Sequence, residues 1–196
     1  SVSSGIGTAL AGRWLGRGWS VAGTYRTPSP AVDALERQGL RAVRCDLSDA
    51  SSMASAAQQL KSLAAEWDVL VLCPGRLDPV GPFAECAFEE WAGSVGVNAL
   101  APLRMLHALL PARNRAAAEG PCVICFAGSG TNSAPVNYSA YTVSKIALMK
   151  MCELLDAEVP DTRFVIVGPG WVKTKIHEAT LAAGARAGAN GPRTTA

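Results

Sequence analysis

Neither sign of charge dominates this chain. Its 18 Lys and Arg stand against 16 Asp and Glu, a net charge of +2, and the basic residues form no run. That removes the electrostatic footprint of a nucleic-acid binder. Long apolar runs are missing as well. No uninterrupted stretch reaches the length of about 18 residues that a membrane-spanning helix needs, and the N-terminus has no basic-then-apolar leader pattern. The expectation is therefore a cytoplasmic protein without nucleic-acid or membrane partners. Cysteine is too scarce for a stapled secreted scaffold: the six thiols fall mostly in apolar runs and read as reduced core residues. Cys122-Val-Ile-Cys125 has C-x-x-C spacing, but it lies in a strand-like run whose positions i and i+3 face opposite sides of a sheet, so no metal site is expected. There is no repeat at solenoid period, no interdomain linker and no long disordered segment.

What is present is a composition of 49% hydrophobic and 17% charged residues over 196 positions, enough for one domain with a real core. The reading is a single domain over 1–180, followed by a mobile Ala/Gly-rich tail over 181–196. Helical periodicity after a small-residue turn at 1–7 gives way to a strand over 19–25. A short helix is expected over 31–38, a strand over 41–45 and a helix over 50–66 with Asp49 or Ser48 as its cap. Residues 68–73 form a continuous apolar run of the kind buried on both faces of a parallel sheet. A helix over 88–110 carries Asn98 at its middle and Pro102, which predicts a kink or break. Strands over 121–127 and 163–167 bracket a helix over 141–159. Strands alternating with helices of this length mean β-α-β units in a doubly wound parallel α/β sheet, with ligands beyond the carboxyl ends of the strands.

Three stretches at those ends carry chemistry. Tyr141 and Lys145 stand four residues apart, so they share a helix face. A cation held near a phenol favours the phenolate and makes a general acid/base of a side chain whose free pKa is about 10. The plain alternative is an amphipathic helix with a packed Tyr and a surface Lys. In the turn Ser1-Val-Ser-Ser-Gly-Ile-Gly7, glycines allow a pyrophosphate to approach free N–H groups at a helix start. Arg26 follows the strand over 19–25, at the place that, after the second strand of a dinucleotide fold, meets the adenosine ribose, where an arginine binds a ribose 2'-phosphate and a carboxylate a free hydroxyl. That favours NADP(H) over NAD(H), although a solvated Arg before Pro28 and Pro30 is the simpler alternative.

Together these features resemble the short-chain dehydrogenase/reductase family over nearly the whole chain. Ser3, Ser4, Gly5, Ile6 and Gly7 look like the later half of its cofactor turn, Asp46-Leu47 like the acidic dipeptide that meets adenine, and Val97-Asn98-Ala99 like its helix asparagine. Tyr141-x-x-x-Lys145 looks like its catalytic pair, and Pro169-Gly170 followed by Val172 and Thr174 like its motif beside the nicotinamide. The resemblance implies a Rossmann fold that moves a hydride between nicotinamide and a small-molecule carbonyl or alcohol. It makes Tyr141 the proton donor/acceptor and has Lys145 lower its pKa and hold the nicotinamide ribose. Ser129 would polarise the substrate oxygen, and Asn98 would anchor a water that relays protons. Gly75 joins the cofactor set. Trp171, Val136, Asn132 and Pro135 are expected near a partly apolar substrate.

The sequence departs from the family pattern in several places. Ser129 lies twelve residues before Tyr141 where the family usually has thirteen, which leaves Ser133 as an alternative hydroxyl. Leu72-Cys73-Pro74-Gly75 replaces the usual Asn-Asn-Ala-Gly, and Ser1 stands for the first glycine of the cofactor turn. The family's first strand should precede Ser1, between the strands at 19–25 and 68–73, and a further helix and strand should follow Thr180. A chain without them is expected to be incomplete as an independent enzyme, with an open slot at the sheet centre. Two other functions stay open: a poorly catalytic nucleotide-binding sensor or assembly subunit, and a nucleotide-sugar epimerase or dehydratase, whose G-x-x-G-x-x-G spacing this turn does not fit. A homodimer or tetramer is expected on the helices at 88–110 and 141–159, with Val143, Ala147, Met151 and Leu154 on one apolar side and Ile146 and Met149 on another.

Overall fold

Apolar runs closed by Pro, Gly or Asp become strands that all run parallel. A computed structural model describes residues 1–3, 5–128, 133–170 and 172; the tail expected over 181–196, and Ser4, Ser129, Asn132, Trp171 and Thr174, lie outside the described residues. Helix α1, Gly5–Leu15, leads to β1, Ala22–Tyr25, then α2, Pro30–Arg37, and β2, Arg41–Arg44. Helix α3, Ala50–Leu63, precedes β3, Val69–Leu72. Helices α4, Phe88–Val95, and α5, Ala101–Leu109, precede β4, Cys122–Phe126, and α6, Ser139–Glu158, leads to β5, Arg163–Val167.

Local chemistry explains the boundaries. Ser29 caps α2 by accepting from the Val32 N–H with Pro30 at the first turn, and Asp49 caps α3 by accepting from the Ser51 N–H. The strand expected over 19–25 is shorter, because α1 ends in a turn through left-handed Gly18 and Trp19 stacks on Trp14 with centroids 5.8 Å apart. The break expected at Pro102 takes the form of a π turn over Gly96–Leu100, in which the Ala101 N–H reaches back to the Gly96 carbonyl. Proline has no N–H and its ring clashes with the carbonyl four residues earlier, so the wider turn ahead of Pro102 relieves the clash without ending the helix.

The strands form two sheets. β1 pairs β2 from Ala22↔Arg41 to Tyr25↔Arg44, while β3, β4 and β5 pair in that order from Val69↔Cys122 and Cys122↔Arg163 onward. Between β1 and β3 lies a cavity of about 300 Å³ lined by Val21–Thr24 on one side and Val69–Cys73 on the other. The gap expected between the strand runs at 19–25 and 68–73 is therefore a feature of the structure. At its carboxyl end the Val2 N–H donates to the Thr24 carbonyl at 2.7 Å, so one rung of the β1 edge is already paired.

Helices cover the sheets. Met53, Ala56 and Ala57 of α3 pack with Ala101, Met105 and Leu109 of α5 over Val43, and Leu148 and Cys152 of α6 pack with Val123 and Cys125 of β4. A leucine as buried as Leu148 contributes about 2 to 3 kcal/mol. The buried stripe of α6 is Ala140, Ser144, Lys145, Leu148 and Cys152, whereas Val143, Ala147 and Leu154 of one expected apolar side and Ile146 of the other are exposed. Small residues at 140 and 144 let the helix approach closely, and that sets its rotation. Among the described residues the helical run Phe88–Ala112 is long and apolar enough to cross a membrane, yet its Met105, Leu106 and Leu109 are buried in the protein's own core.

Candidate active site

The carboxyl ends of β3 and β4 bring most of the expected residues together. α6 begins at Ser139, so Tyr141 sits in its first turn and Lys145 one turn deeper. Gly128, two residues past β4, passes directly beside them. A Cβ there would fall 2.6 Å from the Tyr141 ring and 2.9 Å from the Lys145 side chain, so the position admits only glycine without displacement. Lys145 is 3% exposed, and its Nζ donates to the Pro74 carbonyl at 3.2 Å while lying 5.6 Å from the Tyr141 ring centroid. Burial lowers the Lys145 pKa to about 8.

Burial acts on Tyr141 in the other direction. It pushes the phenol above its ordinary value, so the expectation that the neighbouring cation lowers it is not met in this structure. The reason is burial: removing the phenol from water disfavours its anion. Tyr141 is accordingly protonated at neutral pH, the form that can donate a proton.

Asn98 is fully buried in the π turn and holds the segment after β3. Its Oδ1 accepts from the Arg76 N–H and its Nδ2 donates to the Arg76 carbonyl, both at 2.7 Å. That clamp positions Gly75 and Pro74, and through Pro74 it reaches Lys145. Mid-helix asparagine is read from sequence as a packing or bend residue, and both descriptions apply.

The glycine turn joins the same region through Cys73. A Cβ on Gly7 would lie 1.8 Å from the Ser1 carbonyl oxygen and 3.1 Å from the Cys73 Sγ, so the tight turn requires glycine. The Cys73 thiol donates to the Ser1 carbonyl at 3.4 Å, bracing the turn where the family pattern has asparagine. Thr8 Oγ1 donates to the Val2 carbonyl at 2.9 Å, and Ser3 and Ile6 complete the approach. Gly5 is left-handed at φ 55 and opens α1.

Arg26 and Asp46 form a second group beyond β1 and β2. Arg26 is exposed. The Ser48 hydroxyl and N–H, 2.6 and 2.9 Å from Asp46 Oδ1, hold that carboxyl below its usual range, with smaller attractions from Arg26 and Arg44. Leu47 is half-buried beside them. Pro169, Gly170 and Val172 follow β5 and are exposed. Ser129, Ser4 and Thr174 lie outside the described residues, and the alternative hydroxyl Ser133 is exposed.

Sequence reasoning missed a small apolar wall. Leu77 and Tyr138 are buried against each other, with Val80 and Tyr141 packed on them. An apolar residue inside a Pro- and Gly-rich loop, as at Leu77, is the signal that could have found it. Trp91 was also missed: its indole N–H donates to Ser139 Oγ at 2.9 Å.

The turn a Cβ at Gly7 would fill, the start of α1 and the exposed Arg26 fit a dinucleotide phosphate chain and its ribose end.

The comparisons with known proteins agree. The family model described as Enoyl-(Acyl carrier protein) reductase matches residues 2–191. A short-chain dehydrogenase/reductase, olcF, of Penicillium canescens is 29% identical over 89% of this chain and 67% of its own length. Estradiol 17-beta-dehydrogenase 1 of Rattus norvegicus is 30% identical over 90% of this chain and 54% of its own. Among solved structures, a short-chain dehydrogenase from Streptomyces avermitilis superposes with a TM-score of 0.78 at 29% identity, covering 88% of this chain and 65% of that one. A metagenomic short-chain oxidoreductase in complex with NADP gives 0.75 at 28% identity, covering 85% and 78%. The chain thus spans only part of the length of the curated relatives it matches. With a family match over nearly the whole chain and the Tyr141–Lys145 pair seated at the sheet's carboxyl edge, the chain belongs to the short-chain dehydrogenase/reductase family of Rossmann-fold oxidoreductases.

Proposed function

We propose that this chain forms the core of an NADP-preferring oxidoreductase that interconverts a small carbonyl compound and its alcohol. The observation that carries the reading is the pairing of a buried, protonated Tyr141 with a buried Lys145 beside Gly128. When bound, the nicotinamide supplies or accepts the hydride. The protein's own part is alignment and proton handling. The Tyr141 phenol donates its proton to the developing alkoxide of the substrate and recovers it in the reverse direction. Lys145 stabilises the phenolate left behind and offers N–H donors to the nicotinamide ribose. By family resemblance Ser129 polarises the substrate oxygen and Asn98 supports a proton-relaying water. The Gly5–Gly7 turn and the start of α1 take the pyrophosphate, and Arg26 takes the 2'-phosphate. Ser3, Ser4, Ile6, Asp46, Leu47, Gly75, Pro169, Gly170, Val172 and Thr174 complete the proposed cofactor set. Leu77, Val80 and Tyr138 give the substrate side an apolar wall.

The test is Tyr141→Phe, followed by nicotinamide absorbance on a panel of carbonyl substrates. Turnover is expected to vanish while cofactor binding survives. Retention of more than about a tenth of the wild-type rate, only ~1.4 kcal/mol in barrier, refutes the assignment.

A second reading is a nucleotide-binding family member with little turnover. Lys145 donating to the Pro74 carbonyl, and the open slot between β1 and β3, favour it. Cofactor fluorescence without turnover across the panel would select this reading over the first.

A further inference from the structure

Tyr141 occupies the first turn of a helix that has no capping side chain. The residue before α6, Tyr138, makes no side-chain cap bond, and the first turn carries no acidic residue. In this α6 differs from α2 and α3, whose Ser29 and Asp49 caps hold their first turns. The N–H groups of Ser139, Ala140 and Tyr141 have no partner inside the helix, so an uncapped start frays readily. Fraying there moves the one side chain that must stay still.

Another element ties this helix start down by a side-chain tether. The Trp91 indole N–H, on α4, donates to Ser139 Oγ at 2.9 Å, and Ser139 is the first residue of α6. Two phenyl rings fix the indole: Phe88 stacks on it at 5.9 Å and 12°, and Phe83 meets it edge-on at 5.8 Å and 80°. Both rings are largely exposed, 62% and 58%, so they contribute little as buried core. Their shared geometry is that of a clamp on the indole. The chain entering α6 is held from the other side as well, where the Gly81 N–H donates to the carbonyl of left-handed Asn137 at 2.9 Å.

We propose that Trp91 is a positioning residue for Tyr141: clamped by Phe83 and Phe88, it tethers Ser139 and so holds the head of the catalytic helix, which has no side-chain cap of its own. The proposal rests on the reading of Tyr141 as the proton donor. Its effect belongs to kcat, because the tether holds the phenol and touches none of the residues assigned to the cofactor.

The test compares Trp91→Phe, which keeps the ring stack and deletes the donor, with Ser139→Ala, Ser139→Thr and the Trp91→Phe/Ser139→Ala double variant, all in the full chain. Loss of one hydrogen bond of ordinary strength lowers kcat about fivefold in each of the first two, with KM for the cofactor unchanged. The double variant loses no more than either single one, since both remove the same bond. Ser139→Thr keeps the hydroxyl acceptor and restores the rate to within about twofold of wild type. Hydrogen exchange at the amides of Thr142, Val143 and Ser144 speeds up by about the same factor in Trp91→Phe and Ser139→Ala, because the first helical bonds open more often. Unchanged exchange overturns the proposal. So does faster exchange with an unaltered kcat, and so do additive losses in the double variant. The exchange arm needs no substrate, so a wild-type protein inert on every carbonyl counts against the catalytic reading while the amides still decide the tether.

Discussion

Two residues of the site are governed by competing electrostatic terms, and each comparison has a measurable outcome. Lys145 is buried with a carbonyl partner and no carboxylate, so desolvation outweighs the hydrogen bond and the pKa falls from 10.5 to about 8. At about 1.4 kcal/mol for each tenfold change in proton affinity, that depression corresponds to roughly 3 kcal/mol of destabilisation by the charged form. The unfolded chain binds this proton more tightly. The penalty is therefore complete below pH 8 and fades as pH rises from 8 toward 10.5. Lys145→Met should melt above the wild type at pH 7, with the gap closing by pH 10, while turnover and cofactor affinity both fall. A melting-temperature difference that does not change with pH would show that the ammonium is not desolvated. At Arg26 the contrast is between phosphate and hydroxyl. Arg26→Asp should raise KM for NADPH far more than for NADH, measured side by side, since no carboxylate occupies the positions from Thr24 to Thr27. Equal losses would make Arg26 a structural residue only.

At the scale of elements, α6 is apolar on two sides and buries only one. Its inner stripe packs on β4, leaving Val143, Ile146 and Leu154 at 46%, 45% and 46% exposed. A face of this kind is suited to a second copy, since two-fold pairing buries the same patch twice. We expect a homodimer through α6 and the 88–110 helical run, or a tetramer built from it. Sedimentation at micromolar concentration checks this: Ile146→Lys should shift a dimeric wild type toward monomer, and an already monomeric wild type would count against the interface. A second element-level outcome concerns β4, which ends against α6 at Gly128. Gly128→Ala places a methyl 2.6 Å from the Tyr141 ring, so turnover should drop by at least tenfold even if the variant folds. Assay of the purified variant beside its circular dichroism spectrum separates misplacement from unfolding.

For the molecule as a whole, the sheet is divided by the slot between β1 and β3. Neighbouring strands normally lie about 4.8 Å apart, and here two strand edges face a cavity of about 300 Å³, with the Val2 N–H bonded to the Thr24 carbonyl on the β1 side. Unpaired buried backbone groups cost about 1 to 3 kcal/mol each, against a typical domain stability of about 5 to 15. Residues 1–196 expressed alone should accordingly unfold over a broad, low-temperature range and bind NADPH weakly. A sharp calorimetric transition with micromolar affinity would show that the slot is tolerated.

Much of this was legible in one dimension because the signals are local. The period of apolar residues, the cap at Asp49, and the four-residue spacing of Tyr141 and Lys145 depend only on near neighbours, and the elements they predicted are present. The doubly wound class follows from their alternation. Tertiary structure decided what depends on burial and rotation. It chose which side of α6 faces the sheet, because Ala140 and Ser144 permit close approach, and it set the sign of the Tyr141 shift, because burial takes the phenol out of water. It made Asn98 a clamp on Arg76 and Cys73 a brace for Ser1, pairings that span 22 and 72 positions of sequence. No local pattern encodes such contacts, since they exist only once the strands have placed their ends side by side.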